Sequence, residues 1–152
     1  MNPESTLHPD AAIANLPATD IPDTRGLWIV AIGLAGLLGI AGWLRPSPNG
    51  MGTHQQLGLP PCTATVLFGI RCPACGMTTS WAHFMRGQWW WSFRVNPGGF
   101  ALALQATATI PTLMVFAVRH RRLTSLFWWI TVISLIFAFT AAFIDWTVRI
   151  LA

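Results

Sequence analysis

Three long runs of apolar residues dominate the pattern of the chain, and they predict three transmembrane helices. The runs cover about residues 27–44, 100–118 and 123–144, and none contains a charged residue. A helix of about 18 residues is roughly 27 Å long, close to the roughly 30 Å hydrocarbon core of a bilayer. Gln105, in the second run, is expected to hydrogen-bond a neighbouring helix. Three glycines recur in the first run, and we expect them to pack against other helices of the molecule, with a dimer interface as the alternative: Gly33, Gly36 and Gly39.

The more polar segments predict a tail, a loop and a short connecting element. Residues 1–25 contain four prolines and four acidic residues, so we expect a disordered N-terminal tail before a helical membrane domain at 26–152. Four prolines and three glycines in residues 45–61 predict a loop without regular structure. The apolar stretch 62–70 is too short to span a bilayer, and we expect a re-entrant, interfacial or short buried segment.

Residues 76–94 are predicted to form one amphipathic helix that lies in the membrane surface. The cysteine turn precedes this helix, and the two together make up the segment 62–94. Five apolar residues recur at helical spacing on one face: Met77, Trp81, Phe84, Met85 and Trp89. Tryptophans of such a helix lie at headgroup depth. The residues expected at the membrane interface are Trp81, Arg86, Trp89, Trp90 and Trp91.

The composition excludes an ordinary soluble domain. Charged residues make up 9% of the chain and hydrophobic residues 53%, whereas soluble domains carry roughly 25% charged residues. The expected fold class is all-α, an integral membrane protein with three transmembrane helices and one amphipathic interfacial helix. All nine basic residues are scattered arginines, so nucleic acid is not an expected partner. The expected partners are the lipid bilayer and, as a further candidate, another membrane protein.

The arginines give a divided prediction of topology. Positive residues favour the cytoplasmic side of a membrane. The tail and the turn at 119–122 hold four arginines, and the side with the long loop holds five. The dense Arg-His-Arg-Arg turn favours a cytoplasmic position. We therefore expect a bacterial inner (cytoplasmic) membrane protein with its N-terminus inside and its cysteine loop outside, where a thiol pair tends to be oxidised.

The three cysteines carry the candidate chemistry. The Cys-x-x-Cys pair of Cys72 and Cys75 is half of a typical zinc site, and Cys62 and His83 are the candidates for further ligands. A helix that starts near Gly76 would place Cys75 and His83 about 12 Å apart along its axis, beyond the reach of a shared ion. Zinc is therefore a weak candidate cofactor, and no other cofactor is indicated.

Two other interpretations of the cysteine turn stay open. In the first, Cys72 and Cys75 form a redox pair, since a helix N-terminus lowers a thiol pKa, although the βαβ context of thioredoxin is missing. In the second, the turn is structural, with or without a disulfide between its cysteines, and docks the short segment against the tryptophan helix. His54 stands alone in its loop and is expected to be solvated. No catalytic residue is assigned, and the absence of a recognisable catalytic constellation in the sequence favours a protein that is not an enzyme.

The stretch "GIRCPACGMTTSWAHFMRGQWWWSFRVNPGG" resembles the bacterial family called domain of unknown function 2752. Its members look like small membrane proteins with a Cys-Pro-x-Cys-Gly-(Met/Leu)-Thr core. The matching positions are Gly69, Cys72, Pro73, Cys75, Gly76, Met77, Thr78, Arg86, Gly87, Phe93, Asn96 and Pro97. Cys62 also resembles a cysteine of many members, whereas Thr79 stands where arginine is common. The resemblance covers roughly residues 60–115 and implies no activity.

The leading functional hypothesis is a non-enzymatic membrane protein. In it, the cysteine turn and the tryptophan-rich helix form a membrane-surface or partner-binding module. The alternative is a membrane thiol-disulfide or metal-binding protein that uses Cys72 and Cys75.

Overall fold

The computed structural model describes residues 24–121 and 123–151, and these residues are mainly α-helical. The described part holds six α-helices and no β-strand, which confirms the prediction of an all-α fold. The tail predicted to be disordered lies outside the described residues, apart from its last two positions.

Three helices are long and apolar enough to cross a membrane, as the sequence predicted. They are α1 (Arg25–Trp43), α5 (Pro97–Val118) and α6 (Ser125–Leu151). Between α1 and α5 lie three short α-helices, α2 (Thr63–Phe68), α3 (Met77–Phe84) and α4 (Trp89–Val95). The short helices and the loops that join them form a cap at one end of the long helices.

The prediction of one continuous helix over residues 76–94 is wrong, because a turn separates α3 from α4. Gly87 has a φ of 71°, a left-handed conformation that glycine adopts at little cost. The backbone N–H groups of Arg86 and Gln88 both donate to the carbonyl of His83, at 3.1 and 3.0 Å. The chain therefore changes direction after Phe84, and the apolar residues on either side of the turn no longer share one helical face.

The loop at residues 45–61 contains a regular element that its prolines and glycines did not predict. A 3-10 helix covers Thr53–Leu57 between two left-handed glycines, Gly52 and Gly58. The Thr53 hydroxyl accepts from the N–H of Ser47 at 3.0 Å and shares a buried 2.8 Å hydrogen bond with the Thr79 hydroxyl. This tertiary contact with α3 fixes the loop.

Small residues form most of the core. Leu38 of α1 packs with Ala103 and Ala106 of α5, and Trp81 and Phe84 of α3 cover this cluster. Small side chains allow helix backbones to approach closely. The expectation that the glycines of α1 serve this purpose is wrong, because a Cβ added to any of three of them would have no neighbour within 4 Å: Gly33, Gly36 and Gly39.

The contact between α5 and α6 is closest where α5 begins. A Cβ added at Gly98 would lie 2.5 Å from the Cβ of Ala142, so only glycine fits there. Further along, Gln105 Nε2 donates to the carbonyl of Thr131 at 3.4 Å. This bond between the two helices confirms the expected role of Gln105.

The last turns of α6 hold the cap against the long helices. Trp146 Nε1 donates to the carbonyl of Arg71 at 2.5 Å, and an Arg149 guanidinium nitrogen donates to the carbonyl of Arg94 at 2.7 Å. Arg149 also forms an ion pair with Asp145, at 2.8 Å. The C-terminal part of α6 therefore lies at the same end of the bundle as the cysteine turn and α4.

The glycine at the α5–α6 contact gives a stability prediction. Gly98→Ala should lower the free energy of unfolding by about 1–3 kcal/mol, because the added methyl group overpacks the interface. Gly36→Ala is the matched control, since it adds the same methyl group to a helix with open space around it. Thermal unfolding in detergent measures both, and equal stability of the two variants would contradict this packing.

Candidate thiol site

Three cysteine thiols meet in the cap, near the start of α5. The sulfur atoms of Cys62, Cys72 and Cys75 all lie within 4.8 Å of one another. The Sγ atoms of Cys72 and Cys75 are 3.1 Å apart. All three residues are half-buried and carry free thiols. The structure thus brings Cys62 to a pair that lies ten and thirteen residues further along the chain.

The Cys-Pro-Ala-Cys-Gly segment is a tight turn that leads into α3. The N–H of Cys75 donates to the carbonyl of Cys72 at 3.0 Å, and the N–H of Cys72 donates to Cys75 Sγ at 3.3 Å. Gly76 follows with a φ of 89°. A Cβ at Gly76 would lie 2.7 Å from the carbonyl oxygen of Gly50. Both the conformation and the close approach of the loop therefore require glycine.

Helix α2 places Cys62 next to this turn. Cys62 is the residue before the first turn of α2, and Gly69, with a φ of 67°, ends the helix and reverses the chain. The Thr65 hydroxyl of α2 lies 3.9 Å from Cys75 Sγ, a weak contact between the helix and the turn. The short apolar stretch is therefore a helix, but none of its residues is buried.

The surroundings of the thiols favour a thiolate at Cys62. The backbone N–H of Thr65 and then the thiols of Cys72 and Cys75 lower the pKa of Cys62 to about 6. Burial, and then the contacts with the other two thiols, raise the pKa of Cys72 to about 12. The Cys62 side chain makes no full capping hydrogen bond to α2, so the Thr65 N–H acts as a nearby partial positive charge. A negative Cys62 sulfur thus lies beside a protonated Cys72 thiol.

Asn96 connects the cysteine turn to α5. Its Oδ1 accepts from the N–H of Gly99 at 2.7 Å and caps the helix. Its Nδ2 donates to the carbonyls of Pro73 and Cys75, at 3.2 and 3.3 Å. The side chain is buried, with 2% of its surface exposed. One amide therefore satisfies backbone groups of both the helix start and the turn.

A buried pair of serines joins α3 to α4 beside this amide. The Ser80 hydroxyl donates to the carbonyl of Ser92 at 2.9 Å, and the Ser92 hydroxyl donates to the carbonyl of Ser80 at 2.8 Å. Both residues are fully buried. The pair satisfies polar groups that two closely packed short helices would otherwise leave without partners.

The structure separates His83 from the other metal-ligand candidates. Its Nδ1 bonds to Gln88 Oε1 at 2.6 Å, in the last turn of α3. Among the described residues, one group of possible ligands is close enough to share a metal ion, and it consists of the three cysteines. The distance of about 12 Å between Cys75 and His83, expected from the helical rise, also argued against His83 as a ligand.

The residues expected at the membrane interface fall into two sets. Three consecutive tryptophans of α4 are more than half exposed: Trp89, Trp90 and Trp91. The Arg94 guanidinium lies 5.7 Å from the Trp90 ring centre. Trp81 instead packs on the core cluster, and the Arg86 guanidinium donates to the carbonyl of Ala82. The exposed tryptophan surface is therefore smaller than the sequence predicted.

Two cavities of about 300 and 290 Å³ border the thiols. Asp145 and Arg149 line the first, together with Cys72 and Cys75. The second is lined by all three cysteines and by His54. Nothing in the spacing of residues along the sequence predicted that His54 would lie near the three cysteines. The Asn-Pro pair at the start of an apolar run, in contrast, is a signal for a helix cap that could have indicated Asn96.

Residues 62–110 match the model of the family described as Protein of unknown function (DUF2752). This confirms the resemblance seen in the cysteine motif, and the matched region contains all three cysteines and Asn96. Searches of curated proteins and of solved structures found no match.

The double role of Asn96 gives a prediction with two readouts. Asn96→Ala should lower the free energy of unfolding by about 2–3 kcal/mol, because a cap and two buried hydrogen bonds are lost. Asn96→Asp keeps an oxygen that caps α5 but cannot donate to the cysteine turn. We expect this variant to keep its helical circular dichroism while its thiols are alkylated faster.

Thr107→Ala removes the hydroxyl of an exposed residue of α5 that bonds to the carbonyl of Ala103, and it serves as the control. It should change neither readout. Alkylation of Asn96→Asp at the unsubstituted rate would show that the amide does not hold the turn.

Proposed function

We propose that this chain is a membrane protein that binds a thiophilic metal ion through Cys62, Cys72 and Cys75. The observation that carries the proposal is the convergence of three sulfurs within 4.8 Å. A dithiol redox couple needs only two sulfurs, and a structural turn needs none. A third thiol brought in by a separate helix is what a metal site requires.

The spacing and chemistry of the sulfurs fit such an ion. With Zn–S bonds of about 2.3 Å, two sulfurs around a tetrahedral zinc lie roughly 3.8 Å apart. This value lies between two distances in the site. The Sγ atoms of Cys72 and Cys75 are 3.1 Å apart, and no two of the three sulfurs are more than 4.8 Å apart. Thiolates select Zn²⁺, Cu⁺ and iron–sulfur clusters over Mg²⁺ and Ca²⁺. The N–H of Cys72, which points at Cys75 Sγ, would stabilise a bound thiolate.

We further propose that the thiol site lies at the membrane surface. The three long apolar helices support insertion in a bilayer. The exposed tryptophans of α4 occupy the same end of the bundle as the cysteines, and tryptophan rings favour the headgroup region. This retains the hypothesis of a membrane-surface module in a narrower form, with Trp89, Trp90 and Trp91 as its lipid contacts.

A thiol-disulfide couple of Cys72 and Cys75 is the second candidate function. The 3.1 Å between their sulfurs favours it, because little movement is needed to form a bond. In this reaction the two thiols lose two protons and two electrons, and a disulfide in a partner protein accepts them and becomes a dithiol. Cys62 has no required part in that exchange.

Zinc binding by the reduced protein separates the two candidates. We expect about one zinc per chain, and we expect Cys62→Ser to weaken binding by at least about tenfold, since a ligand is lost. His83→Ala, at a histidine away from the site, should bind as the unsubstituted chain does. A competition with Cu⁺ identifies which thiophilic ion is preferred.

A different set of results would refute metal binding and support the redox function. Absence of zinc and Cu⁺ binding would refute the metal proposal. Titration of the Cys72–Cys75 pair between about −120 and −300 mV in that case, with Cys62→Ser unchanged, would support the redox function.

The proposed orientation places the cysteine side of the bundle outside a bacterial cytoplasmic membrane. In a chain with all three cysteines replaced by serine, Gln88→Cys puts one thiol on the cap and His120→Cys puts one in the opposite turn. A membrane-impermeant maleimide should label the first variant in intact cells and the second only after permeabilisation. The reverse pattern would place the thiol site in the cytoplasm.

A further inference from the structure

We propose that His54 supplies the fourth ligand of the thiol site through its Nδ1 atom, so that the chain forms a Cys₃His zinc centre. This inference rests on the proposed binding of a metal ion by the three thiols. Three thiolates alone leave a tetrahedral zinc with one open position, whereas three thiolates and one imidazole complete it.

The hydrogen bond of His54 leaves the required nitrogen available. His54 Nε2 lies 3.1 Å from the carbonyl oxygen of Pro60. A carbonyl oxygen only accepts, so Nε2 carries the hydrogen, and in the neutral ring Nδ1 then holds a free lone pair. Metal-binding histidines typically donate their other ring N–H to a carboxylate or a backbone carbonyl, which fixes the tautomer and the ring orientation. His54 already has this arrangement.

The surrounding fold places His54 beside the thiols. His54 and all three cysteines line the same cavity of about 290 Å³. The residue before it, Thr53, is buried and bonds to the buried hydroxyl of Thr79 at 2.8 Å. Thr79 lies in the first turn of α3, four residues after Cys75. The contact between the two threonines thus fixes the backbone of His54 relative to the cysteine turn.

The carbonyl group that bonds to the His54 imidazole also belongs to the site. Pro60 lies two residues before Cys62, so the carbonyl that orients the imidazole is part of the segment that carries one of the ligands. The His54 nitrogens lie outside the group of atoms that lie within 4.8 Å of one another. Metal binding therefore requires the imidazole and the sulfurs to move closer together, while the hydrogen bond between Thr53 and Thr79 holds the start of the 3-10 helix in place.

Cobalt(II) is the probe for this proposal, since it replaces zinc in tetrahedral sites and absorbs visible light. The full chain, His54→Ala, His54→Gln and His83→Ala are each titrated with Co²⁺ and then with zinc. His54→Gln keeps an N–H donor for the Pro60 carbonyl but has no ring nitrogen. His83→Ala is the matched control, because it removes a histidine of the same cap that lies away from the thiols.

We expect the unsubstituted chain and His83→Ala to give the same tetrahedral cobalt spectrum and the same zinc affinity. Both His54 variants should keep the thiolate-to-cobalt band, shift the visible bands and bind zinc at least about tenfold more weakly. In ¹⁵N NMR spectra of the zinc-loaded chain, the resonance that moves on zinc binding should be Nδ1 of His54.

Two results would overturn the inference, and they can be told apart. If both His54 variants match the unsubstituted chain in spectrum and affinity, His54 is not a ligand, although binding by the three thiols stands. If the unsubstituted chain binds neither ion while Cys72 and Cys75 are reduced, the proposed metal function fails, and the role of His54 fails with it.

Discussion

The side-chain amide of Asn96 is the contact on which the cap of this protein depends. It has three polar partners from two different elements, and all of them are backbone groups in buried or partly buried surroundings. A lost partner costs more than the net gain from a formed hydrogen bond, because the buried group cannot return to water. The start of α5 and the cysteine turn are therefore stabilised together.

Close packing around this amide explains why small residues surround it. A Cβ at Gly99 would lie 3.1 Å from the Ser80 side chain, and one at Gly98 would meet α6 even more closely. Ser80 and Ser92 fill the remaining space and bond to each other's carbonyls. Large apolar side chains instead point outward along the three long helices, as expected for surfaces that lipid rather than water would cover.

The sequence predicted the long helices well, because a run of about 20 apolar residues has few alternative structures. It predicted the cap poorly, because the cap depends on one local glycine conformation and on contacts between distant residues. The break after Phe84 depends on the left-handed Gly87, and the 3-10 helix depends on the bond between Thr53 and Thr79. The Cys-x-x-Cys pair was visible in the sequence, whereas the meeting of Cys62 with that pair required the folded chain.

The hydrogen bond from Trp146 to the carbonyl of Arg71 sets an order on assembly. The two residues are 75 positions apart, so a ribosome has completed the cysteine turn, α3, α4 and α5 before it adds the tryptophan that fastens the turn to α6. Until then, the carbonyl next to Cys72 lacks this partner, and the side of the thiol site lined by Asp145 and Arg149 is missing. The thiols are consequently less enclosed during biosynthesis, and the arrival of the last helix adds one wall of the cavity beside Cys72 and Cys75.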